Sequence, residues 1–179
     1  VRIEPAMAFG TGHHETTRLS AACIERYGVC AEPGWRLLDI GTGSGILCFV
    51  AALCGAEWYL GVDRDPVAHT NLVDNRASNP GLDNGAFAIG SAECLAGRGR
   101  FELVVMNMLY QYSAPLLPEV ARLVAVHGRF VWSGLLATSR GETLQASAAH
   151  GFELLDEHVA GEWWAGVFVP PERAVGADN

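Results

Sequence analysis

The chain has 179 residues, half of them hydrophobic, and its 12 basic and 20 acidic residues give a formal net charge of −8. This length fits one domain with ample material for a core, and the acidic balance argues against a nucleic-acid partner, whose contact surfaces are usually basic. No apolar run is long enough to span a bilayer, so we expect no membrane partner. Five cysteines without Cys-x-x-Cys spacing indicate free thiols in a reducing, cytoplasmic compartment.

The first stretch, residues 5–18, begins as a glycine-broken loop and continues into a helix predicted from Glu15 to about Tyr27. His13, His14 and Glu15 have two open interpretations: they cap the helix and shape the loop, or the loop lies over a ligand. Adjacent histidines point in different directions, and no other His, Cys or Asp cluster has ligand spacing. We therefore predict no metal site.

A glycine-rich turn follows a short apolar strand at Leu37–Ile40 and precedes a predicted helix at Ile46–Leu53. Glycines at 41, 43 and 45 let a backbone approach a ligand where a Cβ would clash. The helix start then presents unpaired N–H groups to that ligand.

The glycine spacing separates two kinds of cofactor loop. A dinucleotide fold has G-x-G-x-x-G, whereas here Gly45 comes one place early and Ile46 stands at the expected glycine. Counted from Asp39, the pattern D-x-G-x-G-x-G resembles the loop of class I S-adenosylmethionine (SAM) methyltransferases.

The next predicted strand, Leu60–Asp63, ends in a carboxylate about 20 residues beyond the glycine turn. An acid at that position can accept both ribose hydroxyls of an adenosine cofactor. The alternative role for Asp63 is the N-cap of the following helix, Pro66–Arg76, but Asp65 fits that role better.

Two further strands end in candidate ligand contacts. Ser91 and Glu93 follow the strand Ala86–Gly90 and are either adenine-side contacts or solvated loop residues. Asn107 ends the strand Phe101–Met106, whose continuous apolar run predicts burial on both faces. Asn107 is either a ligand contact, which we favour, or a turn residue.

The next predicted helix is Pro115–Val126, which His127 and Gly128 end. A strand at Arg129–Gly134 and a helix at Thr138–His150 follow. The last two predicted strands are Phe152–Val159 and Trp163–Val169. This alternation predicts an α/β fold with a doubly wound, mostly parallel sheet and an antiparallel terminal hairpin. Residues 1–169 form the predicted domain, and residues 170–179 are predicted to be a disordered tail. Ligands bind such sheets at the carboxyl ends of the strands, where four predicted site residues fall: Gly41, Asp63, Ser91 and Asn107.

Six stretches resemble the ribosomal protein L11 methyltransferase family in order and spacing. They are residues 5–17 (Pro-Ala-Met-Ala-Phe-Gly-Thr-Gly-His-His-Glu-Thr-Thr), 39–47 (Asp-Ile-Gly-Thr-Gly-Ser-Gly-Ile-Leu), 61–66 (Gly-Val-Asp-Arg-Asp-Pro), 107–109 (Asn-Met-Leu), 133–136 (Ser-Gly-Leu-Leu) and 161–163 (Gly-Glu-Trp). The resemblance covers nearly the whole chain. Its Gly-Thr-Gly-His-His-Glu-Thr-Thr stretch is specific, whereas many methyltransferases share the glycine loop.

The resemblance implies a seven-stranded, Rossmann-like class I methyltransferase with SAM as methyl donor. It also implies methylation of amines of ribosomal protein L11, at lysine side chains and an N-terminus. Four SAM contacts carry over by position: Thr17, Gly41, Asp63 and Asn107. Gly43 and Ser91 complete the predicted cofactor site.

Three departures from the family pattern concern the methyl acceptor. The family has a separate N-terminal domain that grips L11, and we expect this chain to start after it. Ala6 stands where the family usually has glycine, and Met108-Leu109-Tyr110 replaces the usual Ile-Leu-Ala beside the expected target pocket. The chain is accordingly either a catalytic fragment or a stand-alone relative with another substrate.

Methyl transfer is an in-line displacement, for which an enzyme mainly aligns the reactants and excludes water. Asn107 is the predicted catalytic residue, which either positions the acceptor amine or holds the end of the cofactor. Phe9, Trp163 and Trp164 either wall the pocket or, for the tryptophans, fill the core. His13 or His14 is a weaker candidate for a base.

The leading hypothesis is a SAM-dependent protein methyltransferase, and the alternative is a small-molecule methyltransferase on the same fold. A binding module without turnover is disfavoured by the intact Gly41, Asp63 and Asn107. A dehydrogenase is disfavoured by Ile46.

Overall fold

The computed structural model describes residues 1–3, 14–29 and 33–170. The strands are β1 (Arg36–Ile40), β2 (Trp58–Asp63), β3 (Gly85–Ile89), β4 (Phe101–Asn107), β5 (Val124–Leu136), β6 (Glu153–Ala160) and β7 (Trp163–Val169). The helices are α1 (Glu15–Val29), α2 (Ile46–Leu53), α3 (Pro66–Ala77), α4 (Tyr110–Ser113), α5 (Leu117–Leu123) and α6 (Arg140–Ala149). Of the predicted tail, residues 170–179, all but Pro170 lie outside the described residues.

The seven strands form one sheet in the order β3-β2-β1-β4-β5-β7-β6. The first five pair in parallel, and β7 runs antiparallel to both β5 and β6. The predicted doubly wound sheet with an antiparallel terminal hairpin is therefore confirmed. The chain winds outward from β1 through β3 and then returns to place β4 on the other side of β1. That switch in strand order opens a crevice at the carboxyl ends of β1 and β4.

Both faces of the sheet are buried. Successive residues of β4 alternate between two cores, with Val104 and Met106 on one face and Leu103 and Val105 on the other, because side chains alternate along a strand. The face of Leu103 packs against α1 and α2, and the face of Val104 packs against α5 and α6. The continuous apolar run of β4 was correctly interpreted as burial on both sides.

The structure corrects the predicted helix Pro115–Val126. Helix α5 ends at Leu123, and Val124 already belongs to β5, so His127 and Gly128 lie inside a strand instead of ending a helix. Apolar spacing alone could not reveal this boundary, because Val-Ala-Val continues the helical face and also suits a strand.

Gly128 has a role in the sheet. The pairing of β4 with β5 is irregular between Phe101 and Leu103. A Cβ at position 128 would lie 2.8 Å from the carbonyl oxygen of Glu102. The glycine therefore allows β5 to approach β4 at this irregularity.

The short helix α4 was not predicted, and tertiary contacts hold it in place. The Nε1–H of the fully buried Trp132 donates to Ser113 Oγ at 2.9 Å. The Tyr110 ring stacks on Trp132 with centroids 5.8 Å apart. Both contacts fix the segment that follows Asn107 against β5.

Replacing Ser113 by alanine should lower the free energy of unfolding by about 1–3 kcal/mol, because the buried Trp132 N–H loses its acceptor. Urea unfolding followed by tryptophan fluorescence would measure the loss. The control is Thr138→Ala, which removes an exposed hydroxyl and should cost less than about 0.5 kcal/mol. Equal losses in the two variants would contradict the anchoring role of Ser113.

Candidate functional site

Four predicted site residues meet at one edge of the sheet. A cleft at the carboxyl ends of the strands has two compartments, of about 390 and 640 Å³. The smaller is here called the polar compartment only because Ser91 lies on its polar rim, and the larger, which contains Asn107, the apolar compartment; polar and apolar residues line both. Gly41, Asp63, Met108 and Tyr112 line both.

The three glycines of the turn have two different roles, at the cleft and in the core. Gly41 and Gly43 have φ angles of 77° and 52°, and both line the cleft. A Cβ on Gly41 would collide with the sulfur of Met108. Gly45 faces the core, since its Cβ would lie 2.7 Å from Leu72 Cδ2. The third glycine therefore serves packing, and only the first two adjoin the cleft.

Asp63 holds the glycine turn to the end of β2. Its Oδ2 accepts the Gly43 N–H at 2.8 Å, and its Oδ1 accepts the Asp65 N–H at 3.0 Å. Asp65 in turn accepts the Val67 N–H at 2.8 Å and caps α3. Asp65 is thus the N-cap, as expected, and Asp63 remains in the wall of the cleft.

A second carboxyl, Asp39, lies behind the turn and is 1% exposed. Its Oδ2 accepts from Thr42 Oγ1 at 2.8 Å, and its Oδ1 has no hydrogen-bond partner within the described part of the chain. Burial is the main cause that raises the pKa of Asp39 to about 7, and the negative charge of Asp63 raises it further. The hydrogen bond from Thr42 lowers the pKa in part. Near neutral pH this carboxyl is thus partly protonated.

Ser91, the predicted adenine-side contact, belongs to a polar cluster on the rim of the polar compartment. Ser91 Oγ accepts from Arg64 Nη2 at 3.1 Å, and the same nitrogen pairs with Glu93 at 2.5 Å. The Ser91 hydroxyl, together with Arg64, holds the pKa of Glu93 below its usual value. The rim therefore presents donors and a carboxylate side by side, which suits a nitrogen-rich heterocycle.

Asn107 lies at the end of β4, where β5 supports it. The Met108 N–H donates to the Ser133 carbonyl at 3.1 Å. Gly134 has φ 80°, and a Cβ there would lie 2.7 Å from the Met108 nitrogen. Asn107 Oδ1 is buried and has no hydrogen-bond partner among the residues that the structure describes. A buried acceptor of this kind still needs a donor, which a ligand or the remaining residues would supply.

Helix α1 brings Thr16 and Thr17 to different places. Thr16 lines the apolar compartment, and its Oγ1 lies 2.8 Å from His14 Nδ1. The predicted contact Thr17 is 2% exposed and is absent from the lining of both compartments; its Oγ1 has no partner within residues 1–3, 14–29 and 33–170. Neighbouring helical residues point about 100° apart, so only one of the two can face the cleft.

The two tryptophans also separate. Trp163 lines the apolar compartment and meets His14 edge-on at 4.9 Å between ring centroids. Trp164 is fully buried in the core, and its Nε1–H donates to Glu157 at 2.8 Å. Of the alternatives left open by the sequence, Trp163 is a pocket wall and Trp164 a core residue.

Sequence reasoning gave no cleft role to Tyr112 and Gly134, which also line the cleft. The signal that could have found Tyr112 is its position directly after the Asn107 segment. Phe9, His13 and Ala6 lie outside the described residues, as does Cys30.

Two negative findings concern the described residues only. They contain no group of three or more His, Cys, Asp or Glu side chains able to hold a metal ion. None of the helices there combines the length and apolarity needed to cross a membrane.

The chain is similar in sequence to proteins of one known family. The family model "Ribosomal protein L11 methyltransferase (PrmA)" matches residues 1–169. The ribosomal protein L11 methyltransferase of Thermus thermophilus is 39% identical over 161 residues, which are 90% of this chain and 61% of that protein. The chain thus spans about three fifths of the length of this curated relative.

Solved structures share the fold. The ribosomal protein L11 methylase from Lactobacillus delbrueckii subsp. bulgaricus matches with a TM-score of 0.85 and 29% identity, covering 95% of this chain and 84% of that one. A TehB-like SAM-dependent methyltransferase from Corynebacterium glutamicum matches with a TM-score of 0.65 at 20% identity, over 84% and 87% of the two chains, and shows the fold alone.

The pKa of Asp39 predicts a pH-dependent effect of Asp39→Asn on stability. Because the folded pKa of about 7 exceeds the unfolded value of 3.8, folding is favoured by this group below pH 3.8, and that contribution is lost as the pH rises through 7. The asparagine variant cannot titrate there. The unfolding free energy of the variant minus that of the wild type should therefore increase by about 1–3 kcal/mol from about pH 4 to pH 8.

Urea unfolding of both proteins across that pH range would measure the difference, in which other titrating groups cancel. A difference that stays constant with pH would contradict a raised pKa at Asp39.

Proposed function

The chain belongs to the ribosomal protein L11 methyltransferase family, and we propose that it is a SAM-dependent methyltransferase domain acting on protein amines. Lysine side chains and the N-terminus of ribosomal protein L11 are the first candidate acceptors. The observation that carries the proposal is the divided cleft. Its polar compartment, lined by Asp63 and Ser91, suits a nucleoside, and its apolar compartment is lined by Asn107, whose buried Oδ1 has no partner among the described residues.

The residues present fit SAM. A carboxylate has about four acceptor positions, and Asp63 uses two of them on the backbone N–H groups of Gly43 and Asp65. Two remain for ribose hydroxyls. Ser91 and Glu93 would adjoin the adenine, and Gly41 leaves room for the methionine part beside the apolar compartment.

The apolar compartment suits an uncharged amine. Met108, Leu109 and Trp163 lie in its wall with Asn107, and the carboxyls of Asp63 and Asp65 lie in the same wall. A lysine side chain with an ordinary pKa of about 10.4 must lose a proton before it can act as a nucleophile, and burial among the apolar side chains favours the neutral form. Asn107 Oδ1 would then accept a hydrogen bond from the amine and orient its lone pair.

Bound SAM supplies a methyl group on a sulfonium, and the chain's own residues would align and desolvate the reaction. Asp63 and the glycine turn fix the cofactor end, while Asn107 fixes the acceptor end. Trp163 and Met108 exclude water from between them. The acceptor's proton leaves before transfer, and His14 in the same wall is the candidate to receive it.

A small-molecule acceptor is the second candidate, and the segment Met108–Tyr110 favours it. Met108 and Tyr110 depart from the family's usual Ile-Leu-Ala, whereas Leu109 matches it, and Met108 lines the apolar compartment. Methylation of a metabolite panel but of no protein would support this alternative.

We also propose a cytoplasmic location. Cys23 and Cys48 are buried free thiols, and the described cysteines form no disulfide. Such cysteine usage is typical of a reducing compartment.

Replacing Asp63 by alanine should weaken SAM binding about tenfold or more, because charge-assisted hydrogen bonds to the ribose and to the glycine turn are both lost. Isothermal titration with SAM would measure the change in affinity. A separate titration with NAD would test the dehydrogenase alternative. The matched control is Asp74→Ala, which removes an exposed carboxylate of α3 that lines neither compartment and should leave the affinity within about twofold. Unchanged affinity in Asp63→Ala would refute the ribose assignment.

Replacing Asn107 by alanine should lower the rate of methyl transfer about 100-fold, because a misaligned acceptor loses the benefit of positioning. Transfer of labelled methyl from SAM to purified ribosomal protein L11 would measure it. The chain contains no lysine, so labelled methyl-lysine can come only from the acceptor.

Asn71→Ala is the control, since Asn71 also has a buried, unpaired amide atom among the described residues but lines neither compartment. A wild-type rate in Asn107→Ala would exclude its catalytic role. A proportionate loss of SAM affinity would instead assign Asn107 to the cofactor.

A further inference from the structure

One face of α3 contacts three functionally different parts of the chain. Ala68 lines the apolar compartment. Leu72 packs against Gly45 of the glycine turn, and Asn75 Nδ2 donates to the Ser44 carbonyl at 2.9 Å. Asn79, just beyond the helix, contacts Arg2 in residues 1–3, here called the Arg2 segment. The spacing of these residues places them in one stripe along the helix.

Asn79 and the backbone of Arg2 form two reciprocal hydrogen bonds. The Arg2 N–H donates to Asn79 Oδ1 at 2.7 Å, and Asn79 Nδ2 donates back to the Arg2 carbonyl at 2.6 Å. The same Nδ2 also donates to the Asn75 carbonyl at 2.7 Å. A continuous set of hydrogen bonds therefore runs from the backbone at Arg2 to the glycine turn at Ser44.

Burial makes this network costly to break. Ser44, Asn75 and Asn79 are 3%, 1% and 5% exposed. Buried polar groups are expensive when unpaired and rigid when satisfied. Loss of one member would leave buried partners without their hydrogen bonds and let the turn relax.

We infer that Asn75 and Asn79 are positioning residues for the cofactor, which make SAM affinity depend on the docking of the Arg2 segment onto α3. This inference rests on the proposed function. The glycine turn has three positive φ angles, and α2 begins at Gly45 without a side-chain cap. Support from α3 therefore keeps the turn in its binding shape, and a preorganised turn binds more tightly.

The test compares SAM affinity in Asn75→Ala, Asn79→Ala and their double variant, by calorimetry at a temperature where circular dichroism shows all of them folded. Each single variant should raise the dissociation constant about threefold to tenfold, the effect of roughly one hydrogen bond. The double variant should be little weaker than either single variant, because both act through one network.

Asn84→Ala is the matched control. Asn84 Nδ2 donates to the carbonyls of Ala56 and Glu57 at 2.7 and 3.1 Å, at the amino ends of β2 and β3 and away from the glycine turn. This variant should lower the melting temperature without changing SAM affinity by more than about twofold. If Asn79→Ala likewise loses only thermal stability, the network is structural and the inference is wrong.

Hydrogen exchange separates this inference from the proposed function. Amides of residues 41–45 should exchange faster in Asn79→Ala than in wild type and Asn84→Ala, with no ligand present. If wild type binds no SAM, the proposed function fails and the exchange result still decides the coupling. Unchanged exchange at residues 41–45 overturns the coupling itself.

Discussion

The hydrogen bond from the Gly43 N–H to Asp63 Oδ2, at 2.8 Å, is the contact on which the candidate site depends. It ties the turn after β1 to the end of β2, and it requires the positive φ angle of Gly43. The same carboxylate accepts the Asp65 N–H, so it also fixes the start of α3. One side chain therefore shapes the glycine turn, orients the next helix and still faces the cleft.

Two neighbouring parallel strands carry carboxyls that have different surroundings. Asp63 is stabilised by two backbone N–H groups and borders the cleft, whereas Asp39 is sealed behind the turn with its pKa raised to about 7. Two full negative charges so close together would repel each other. The raised pKa of Asp39, caused mainly by burial, favours its neutral form and so reduces that repulsion.

Local signals predicted the strands and the glycine turn, because apolar runs and glycines act over a few residues. Tertiary contacts decided what the sequence left open. Helix α4 exists because Ser113 and Tyr110 meet Trp132. Which tryptophan faces the cleft follows from the pairing of Trp163 with Leu136 between β7 and β5, and a shift of one residue would have exchanged it with Trp164.

The two compartments share parts of their walls. Gly41 of the glycine turn and Asp63 at the end of β2 line both, and so do Met108 and Tyr112 from the segment after β4. Helix α4 holds that segment through the stacking of Tyr110 on Trp132. Tyr110 belongs to the segment that departs from the family pattern, and it anchors a helix whose Tyr112 lines both compartments. A change in this short segment would therefore alter the cofactor half of the cleft as well as the acceptor half.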